Sequence, residues 1–280
     1  MNRRKWIIIL VAAVLLAVLI GWLIWANKAL EVNTYVVHAD IPAAFGGYRI
    51  AQISDLHNIR IGKDNQKLLT ALRDAQPDMI AITGDLIDSR RTDLDVAMDF
   101  IQEAVSIAPC YYVSGNHENR IPEYPQLKEA MTAAGVVVLE DEKTQIMQNG
   151  AAVTLVGLRD PSFDETMVTD EVVVSQRLSE LLEPEDEFVI LLSHRPELFQ
   201  TYAESGVDLV FSGHAHGGQV RLPFIGGVIA PHQGLFPEYD GGLYVCDGAR
   251  MVVSRGVGNS LFPLRVNNRP EVVVVELQCK

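Results

Sequence analysis

Five times in this chain an apolar run closes directly on a short polar motif, and that recurrence restricts the fold more than any compositional figure. Asp55-Leu56-His57 follows Tyr48–Ser54, Gly84-Asp85 follows Met79–Thr83, and Gly115-Asn116-His117-Glu118 follows Cys110–Ser114. Ser193-His194 then follows Phe188–Leu192, and Gly213-His214-Ala215-His216 comes just after Val207–Phe211. Short apolar runs bounded by turn residues read as buried strands. Between them, Leu68, Leu69 and Leu72 share one face of a helix expected to start near Asp64, and Leu94, Met98, Ile101 and Val105 keep helical spacing. Such alternation predicts βαβ units and mostly parallel pairing. Asn149-Gly150 between two strand-like runs predicts a hairpin. In the closing third, Tyr244–Cys246, a turn at Asp247-Gly248, Met251–Ser254 and Glu271–Leu277 suggest antiparallel strands. The expected fold class is α/β: two mixed β-sheets packed face to face, with helices on the outer faces.

Residues Ile7 to Ala26 carry no charge and are dominated by Ile, Leu, Val and Ala. At helical rise, twenty residues span roughly 30 Å, the hydrocarbon thickness of a bilayer. Trp6 lies at one end, and Trp22 and Trp25 at the other, where indole rings prefer the headgroup zone. One transmembrane helix is therefore expected ahead of the folded domain. Arg3, Arg4 and Lys5 precede it, and the positive-inside rule leaves that tip in the cytoplasm and the catalytic domain extracytoplasmic. Trp25-Ala26-Asn27-Lys28 fits a signal-peptidase site poorly, and the pattern around Arg3-Arg4 is an incomplete twin-arginine signal, so an uncleaved signal-anchor is expected. The expected organisation is a tip and anchor over 1–27, a linker and lead-in strand over 28–47, and one catalytic domain over 48–280. Beyond the tip, 20 Lys and Arg face 36 acidic residues, a balance of about −16. Such a surface repels polyanions and argues against a nucleic-acid partner. Cys110, Cys246 and Cys279 show neither a disulfide framework nor the spacing of a thiolate zinc site.

Every polar motif sits past the C-terminal end of an expected strand, the edge where loops of α/β sheets converge on ligands. Taken singly each is ordinary: Asp-x-His as a helix cap, Gly-Asp as a turn, a buried His satisfied within a core. Five of the seven histidines fall in these motifs, with only His38 and His232 outside. Together the motifs supply imidazole and oxygen donors in the number two divalent ions require. Gly84, Gly115 and Gly213 directly precede candidate ligands, where sharp turns aim side chains back over the sheet edge. Arg221 and Arg255 are candidate phosphate contacts, set against the ordinary reading of a surface arginine.

In order and type these motifs resemble those of the calcineurin-like metallophosphoesterases, and the resemblance covers roughly Tyr48 to Glu276. The stretch Gly213–Pro223 is similar to the family's bacterial membrane-associated or exported phosphodiesterase branch. So is the tail Val253–Ser260, with Pro263-Leu264-Arg265 and Arg269-Pro270-Glu271. Glu118 stands where many members have Asp, and Ala215 where Thr is common; neither position is a metal ligand in the family. The resemblance implies one metal held by Asp55, His57, Asp85 and His216, and a second by Asp85, Asn116, His194 and His214, with Asp85 bridging. It implies that His117 is catalytic, facing the substrate and protonating the leaving oxygen. Two ions bring +4 and the two aspartates remove two, leaving about +2 opposite an anionic phosphate. The implied function is a membrane-anchored dinuclear-metal phosphoesterase acting through a metal-activated hydroxide. Its substrates would be phosphate esters, phosphodiesters first, with lipid and nucleotide-sugar-lipid esters among the candidates. Mn²⁺ is favoured, and imidazole with oxygen donors also suits Zn²⁺ or Fe. The alternative is a non-catalytic, metal-stabilised binding or scaffold protein of the same fold at the cell envelope, which the complete ligand set disfavours. A β-lactamase-like metallohydrolase would need a His-x-His-x-Asp-His run that the chain lacks.

Overall fold

The structure is a computed structural model that describes residues 3–184, 186–259, 262 and 264–280; Ser260 and Pro263 of the tail motif lie outside the described residues. Helix α1 (Arg3–Ala26) stands clear of the domain, long and apolar enough to cross a membrane, with only Ala26 buried. The first sheet contains β1 (Glu31–Ala39), β2 (Arg49–Ile53), β3 (Met79–Thr83), β4 (Cys110–Val113), β5 (Val137–Val138) and β16 (Glu271–Cys279), in the order β1-β16-β2-β3-β4-β5. The second contains β6 (Glu142–Gln148), β7 (Ala151–Gly157), β8 (Val189–Leu192), β9 (Leu209–Ser212), β14 (Gly242–Cys246) and β15 (Ala249–Val253), in the order β14-β15-β9-β8-β7-β6. Two small hairpins stand apart from both sheets: β10 (Arg221–Leu222) with β11 (Gly226–Gly227), and β12 (Ile229–Ala230) with β13 (Gly234–Leu235).

The strands read as unbroken apolar runs because both sheets are covered on both faces. Alternate side chains divide between layers. In β3, Ile80 and Ile82 face α2 (Gln66–Ala75), α3 (Leu94–Ala104) and α4 (Tyr124–Ala133), while Met79 and Ala81 enter the layer between the sheets. In β8, Ile190 and Leu192 enter that same inner layer, and Val189 and Leu191 pack toward α5 (Asp170–Leu181) and α6 (Phe199–Glu204). A helix–sheet–sheet–helix sandwich results, as the alternation predicts. Within it β2, β3 and β4 run parallel in one sheet, and β7, β8, β9 and β15 run parallel in the other, so their C-terminal ends gather along one edge.

Details depart from the sequence reading. Helix α2 begins at Gln66 rather than Asp64, because Asp64 and Asn65 take left-handed backbones and the Asn65 Oδ1 accepts the Ile61 N–H. The β14–β15 hairpin turns at Asp247-Gly248, but β16 leaves that sheet. It inserts between β1 and β2, parallel to one and antiparallel to the other, where Val272 and Val273 point to opposite apolar layers. The lead-in strand β1 pairs with β16 at all nine of its positions.

Candidate metal centre

The seven candidate ligands come from both sheets and meet at the shared edge. Asp55 and His57 follow β2, Asp85 follows β3, and Asn116 follows β4; His194 follows β8, and His214 and His216 follow β9. All seven are buried. Two clusters form: Asp55, His57, Asp85 and His216, and then Asp85, His194 and His214, with Asp85 common to both. In the first, Asp55 Oδ1 lies 3.3 Å from His216 Nε2 and 3.8 Å from His57 Nε2, and the two Nε2 atoms are 3.3 Å apart. Asp85 Oδ2 lies 3.6 Å from His57 Nε2 and 3.3 Å from His194 Nε2. Donor atoms held about 2.1 Å from a common ion sit roughly 3.0–3.4 Å from one another, so this spacing suits metal coordination.

Neighbouring groups fix the tautomers. The His194 Nδ1 lies 2.7 Å from the Thr83 carbonyl, which only accepts, so Nδ1–H donates and Nε2 keeps its lone pair. The His214 Nε2 lies 2.8 Å from His232 Nδ1, which also stands 2.8 Å from the Arg195 Nη1. A guanidinium only donates, so His232 Nδ1 is an acceptor; His214 Nε2–H then donates and leaves its own Nδ1 lone pair free. That lone pair faces His194 Nε2 at 3.1 Å, with Asp85 Oδ2 beside them. Three acceptors converge on one another, an arrangement that requires a cation among them, a metal ion or, without one, a proton. Burial alone would lower the His194 pKa; the Asp85 carboxylate overrides this and lifts it to about 10, a proton standing where an ion would. Burial, then the field of His194, holds His214 well below the ordinary imidazole range, and burial takes His216 down to about 3. In addition, Asn116 Oδ1 and Asp55 Oδ1 are buried with no hydrogen-bond partner, as donors awaiting a metal would be.

The surrounding chain fixes these side chains. Ser54 Oγ and the His214 N–H both donate to Asp55 Oδ2, at 2.7 and 3.1 Å, which leaves Oδ1 for the cluster. The His117 N–H donates to Asp85 Oδ1 at 2.8 Å and leaves Oδ2 at the centre. Gly84 has φ +84°, and a Cβ there would come within 2.7 Å of His194 Nδ1; a Cβ on Gly213 would fall on Ser54 Oγ. The fully buried Glu118 accepts four backbone N–H groups: Asp85 at 2.9 Å, Leu86 at 2.8 Å, Ile87 at 3.3 Å and Gly115 at 2.7 Å. Burial and the neighbouring Asp85 push its pKa up to about 7, yet four donors and no acceptor suit the anion, because a carboxyl proton would point at an N–H.

His117 stands beside both clusters. The Ser89 backbone N–H donates to its Nδ1 at 3.1 Å, so Nε2 carries the proton, 3.9 Å from Asp85 Oδ2. Burial pushes its pKa down to about 4, which keeps the ring neutral. His38 lies exposed on β1, outside both clusters, whereas His232 joins the centre from the turn between β12 and β13. Behind it, Arg195 forms a bidentate pair with the buried Asp160 at 2.6 and 2.9 Å. Arg221 and Arg255 are committed elsewhere. Arg255 binds Glu271 and Glu31, each at 2.9 Å, and Arg221 pairs with Asp240 at 3.1 Å and donates to the Gly217 carbonyl. Their partners hold the hairpin and tail in place, which accounts for both arginines without a phosphate.

Comparisons with known proteins identify the family and the fold. The family model of the calcineurin-like phosphoesterases matches residues 48–218. The Bacillus subtilis (strain 168) metallophosphoesterase YkuE is 30% identical over 85% of this chain and 82% of its own. The phosphodiesterase YaeI of Escherichia coli (strain K12) is 28% identical over 82% of each chain. Among solved structures, TT1561 of Thermus thermophilus shares the fold, with a TM-score of 0.52 at 16% identity over 75% of this chain and 89% of its own.

Proposed function

The chain belongs to the calcineurin-like phosphoesterase family, and from that premise we propose that it is a membrane-anchored hydrolase of phosphodiesters that works with two divalent ions. The carrying observation is the trio of acceptors, Asp85 Oδ2, His194 Nε2 and His214 Nδ1, converging in a buried site. Asp55, His57, Asp85 and His216 would hold one ion, and Asp85, Asn116, His194 and His214 the other. Such a pair supplies Lewis acidity toward a phosphoryl oxygen and a nucleophile from water at neutral pH. Imidazole and oxygen donors without thiolate suit Mn²⁺, Fe and Zn²⁺, with Mn²⁺ the first to test.

The chain's own residues do the rest. His117, its Nδ1 occupied by the Ser89 N–H, presents Nε2–H toward the leaving oxygen and offsets the charge that grows there. Glu118 holds the Asp85 and Gly115 loops in register, so that ligands from β3 and β4 meet those from β8 and β9. The 28% identity to a phosphodiesterase, YaeI, supports diesters as the first substrates to try.

The test uses the full chain in detergent, stripped by chelator and resupplied with Mn²⁺, Zn²⁺ or Fe²⁺, against a panel of phosphomonoesters and diesters. Activity should vanish on chelation and return as about two ions bind per chain. Asp85→Ala should lose both ions, and His216→Ala mainly one. Full activity with one bound ion, or hydrolysis indifferent to the chelator, would refute the two-ion reading.

A further inference from the structure

The chain from Leu209 to Pro237 contains no carboxylate, and neither does the chain from Gly248 to Pro270, although 36 of the 280 residues are acidic. These same stretches hold Arg221, Arg250, Arg255, Arg265 and Arg269. They also hold a group of exposed large apolar side chains, all at least 43% exposed: Phe224, Ile225, Leu235, Phe236, Phe262 and Leu264. Phe224, wholly exposed, stands at the turn between β10 and β11. Hydrogen bonds join the group into one surface. Gln219 Nε2 donates to the Phe262 and Leu264 carbonyls at 2.8 and 3.0 Å, Val220 bridges Val266, and the Phe236 N–H donates to the Val228 carbonyl at 2.8 Å. An exposed apolar patch of this size, on an otherwise acidic chain, marks an interaction surface.

The occupant follows from where α1 ends. Asn27 Nδ2 donates to the carbonyls of Leu23 and Arg265 at 2.8 and 2.9 Å, and Asn27 Oδ1 accepts the Arg265 N–H at 2.8 Å. The Arg269 guanidinium lies 5.2 Å from the Trp25 ring centroid and donates to the Ala29 and Leu30 carbonyls. Only Asn27–Leu30 separate α1 from β1, and these bonds leave no free spacer between helix and domain. Trp22 and Trp25 sit where indole rings mark the headgroup level. Arg265, bonded to Asn27, therefore lies about one helical turn, roughly 5 Å, from that level, with Phe262 and Leu264 close to it in the chain. Beside them a cleft of about 470 Å³, walled by Val220, Ile229, Ala230, Pro231 and Phe262, has the candidate ligand His216 in its lining.

We propose that the two hairpins, together with Phe262 and Leu264, form a lipid-docking surface. It sets the mouth of the site on the bilayer, so that the cleft receives the hydrocarbon part of a lipid-linked phosphate ester. The docking stands on the surface alone; the substrate assignment rests on the phosphoesterase reading above. The apolar rim suits the acyl boundary of a bilayer.

Two measurements test this on the full chain in phosphatidylcholine vesicles. In the first, Phe224→Cys is made in a chain carrying Cys246→Ser and Cys279→Ser, with the buried Cys110 left in place, and is labelled with a polarity-sensitive dye. The expected result is blue-shifted emission, quenched at least twofold by nitroxide lipids. The same dye at Met147→Cys, exposed on the far edge strand β6, should report water. Equal emission and quenching at the two positions would overturn the docking. The second compares kcat/KM for a long-chain phosphodiester in the vesicle with that for a soluble short-chain analogue of the same headgroup. Ile229→Asp, at an exposed position on the cleft wall, should lower the long-to-short ratio at least tenfold. An unchanged ratio would overturn the lipid-ester assignment. A chain inactive on both esters would overturn the phosphoesterase reading and the substrate assignment with it, while the fluorescence would still decide the docking.

Discussion

Replacing Glu118 by Gln removes a single charge, changes no candidate ligand, and should still rank among the most damaging substitutions in the domain. The two carboxylate oxygens each accept two backbone N–H groups: Oε2 from Asp85 and Gly115, Oε1 from Leu86 and Ile87. A glutamine must turn its NH₂ toward one pair, so two buried N–H donors face a third donor. The less harmful choice is the Leu86–Ile87 side, where one bond is already long at 3.3 Å. Each buried donor left unsatisfied costs about 1–3 kcal/mol, so the change should destabilise the domain by roughly 2–6 kcal/mol. For a domain of this size each kcal/mol moves Tm by about 2–4 °C, so a loss near the middle of that range lowers Tm by roughly 8–16 °C. The assay is thermal and urea denaturation of the detergent-solubilised chain in chelator, since bound ions would add stability of their own. Glu118→Asp keeps both oxygens and the charge but is one methylene short, and should fall between Gln and wild type. If the Gln variant melts within about 2 °C of wild type, roughly 0.5–1 kcal/mol, the carboxylate does not clamp these loops.

Other predictions follow the same lines. His117→Ala should keep its metal content and its fold and slow turnover by about 10²–10⁴-fold, most for poor leaving groups; loss of metal instead would make His117 a support for the site. His232→Ala removes the acceptor that sets the His214 tautomer and should weaken metal binding about 10–100-fold in a competition titration with a chelating dye, and unchanged affinity would refute that role. A reporter active only after export, fused after Lys280, should be active if α1 is an uncleaved anchor with its N-terminus in the cytoplasm, and an inactive but membrane-bound fusion would reverse the topology.

What was legible in the sequence is what local pattern dictates. Strands buried on both faces must be apolar throughout, so β3, β4, β8 and β9 announce themselves, and residues at their C-terminal ends can be named before any coordinates. The apolar helix α1 is equally plain, since nothing polar interrupts it from Ile7 to Ala26. What stayed hidden depends on partners far away in the chain. Strand β1 is expected only as a lead-in strand, and its alternation of exposed and half-covered positions does not disclose its partner, β16, some 240 residues on. Helices α4 and α5 have weak apolar periodicity, with two or three buried positions each. His232 looks like a stray histidine because its role is set by His214 and Arg195 from other loops. Glu118 looks like a neutral exchange for Asp, and only the four converging N–H groups reveal its work.

Backbone conformation gives a separate reason to place function at this edge. Seventeen non-glycine residues among those described have positive φ, and most sit in exposed or half-buried turns, where the left-handed region is unremarkable. Seven of them are buried, and five of those seven are candidate ligands: Asp55 (φ 53°), His57 (φ 47°), Asp85 (φ 50°), His214 (φ 65°) and His216 (φ 48°). Asp and His tolerate this region better than most residues, yet each still costs on the order of 1–3 kcal/mol. Five together reach roughly 5–15 kcal/mol, comparable to the whole net stability of a typical domain. A chain selected only for folding would relax such turns with glycine. Here the strained residues are the ones whose side chains must point into the centre, and the bonds from Ser54, Glu118 and the His117 N–H keep them there. Glycine at position 55 or 85 would relieve the backbone and remove the carboxylate in the same step. The strain is therefore tied to the side chain, and a ligand-binding centre explains it where turn geometry alone does not.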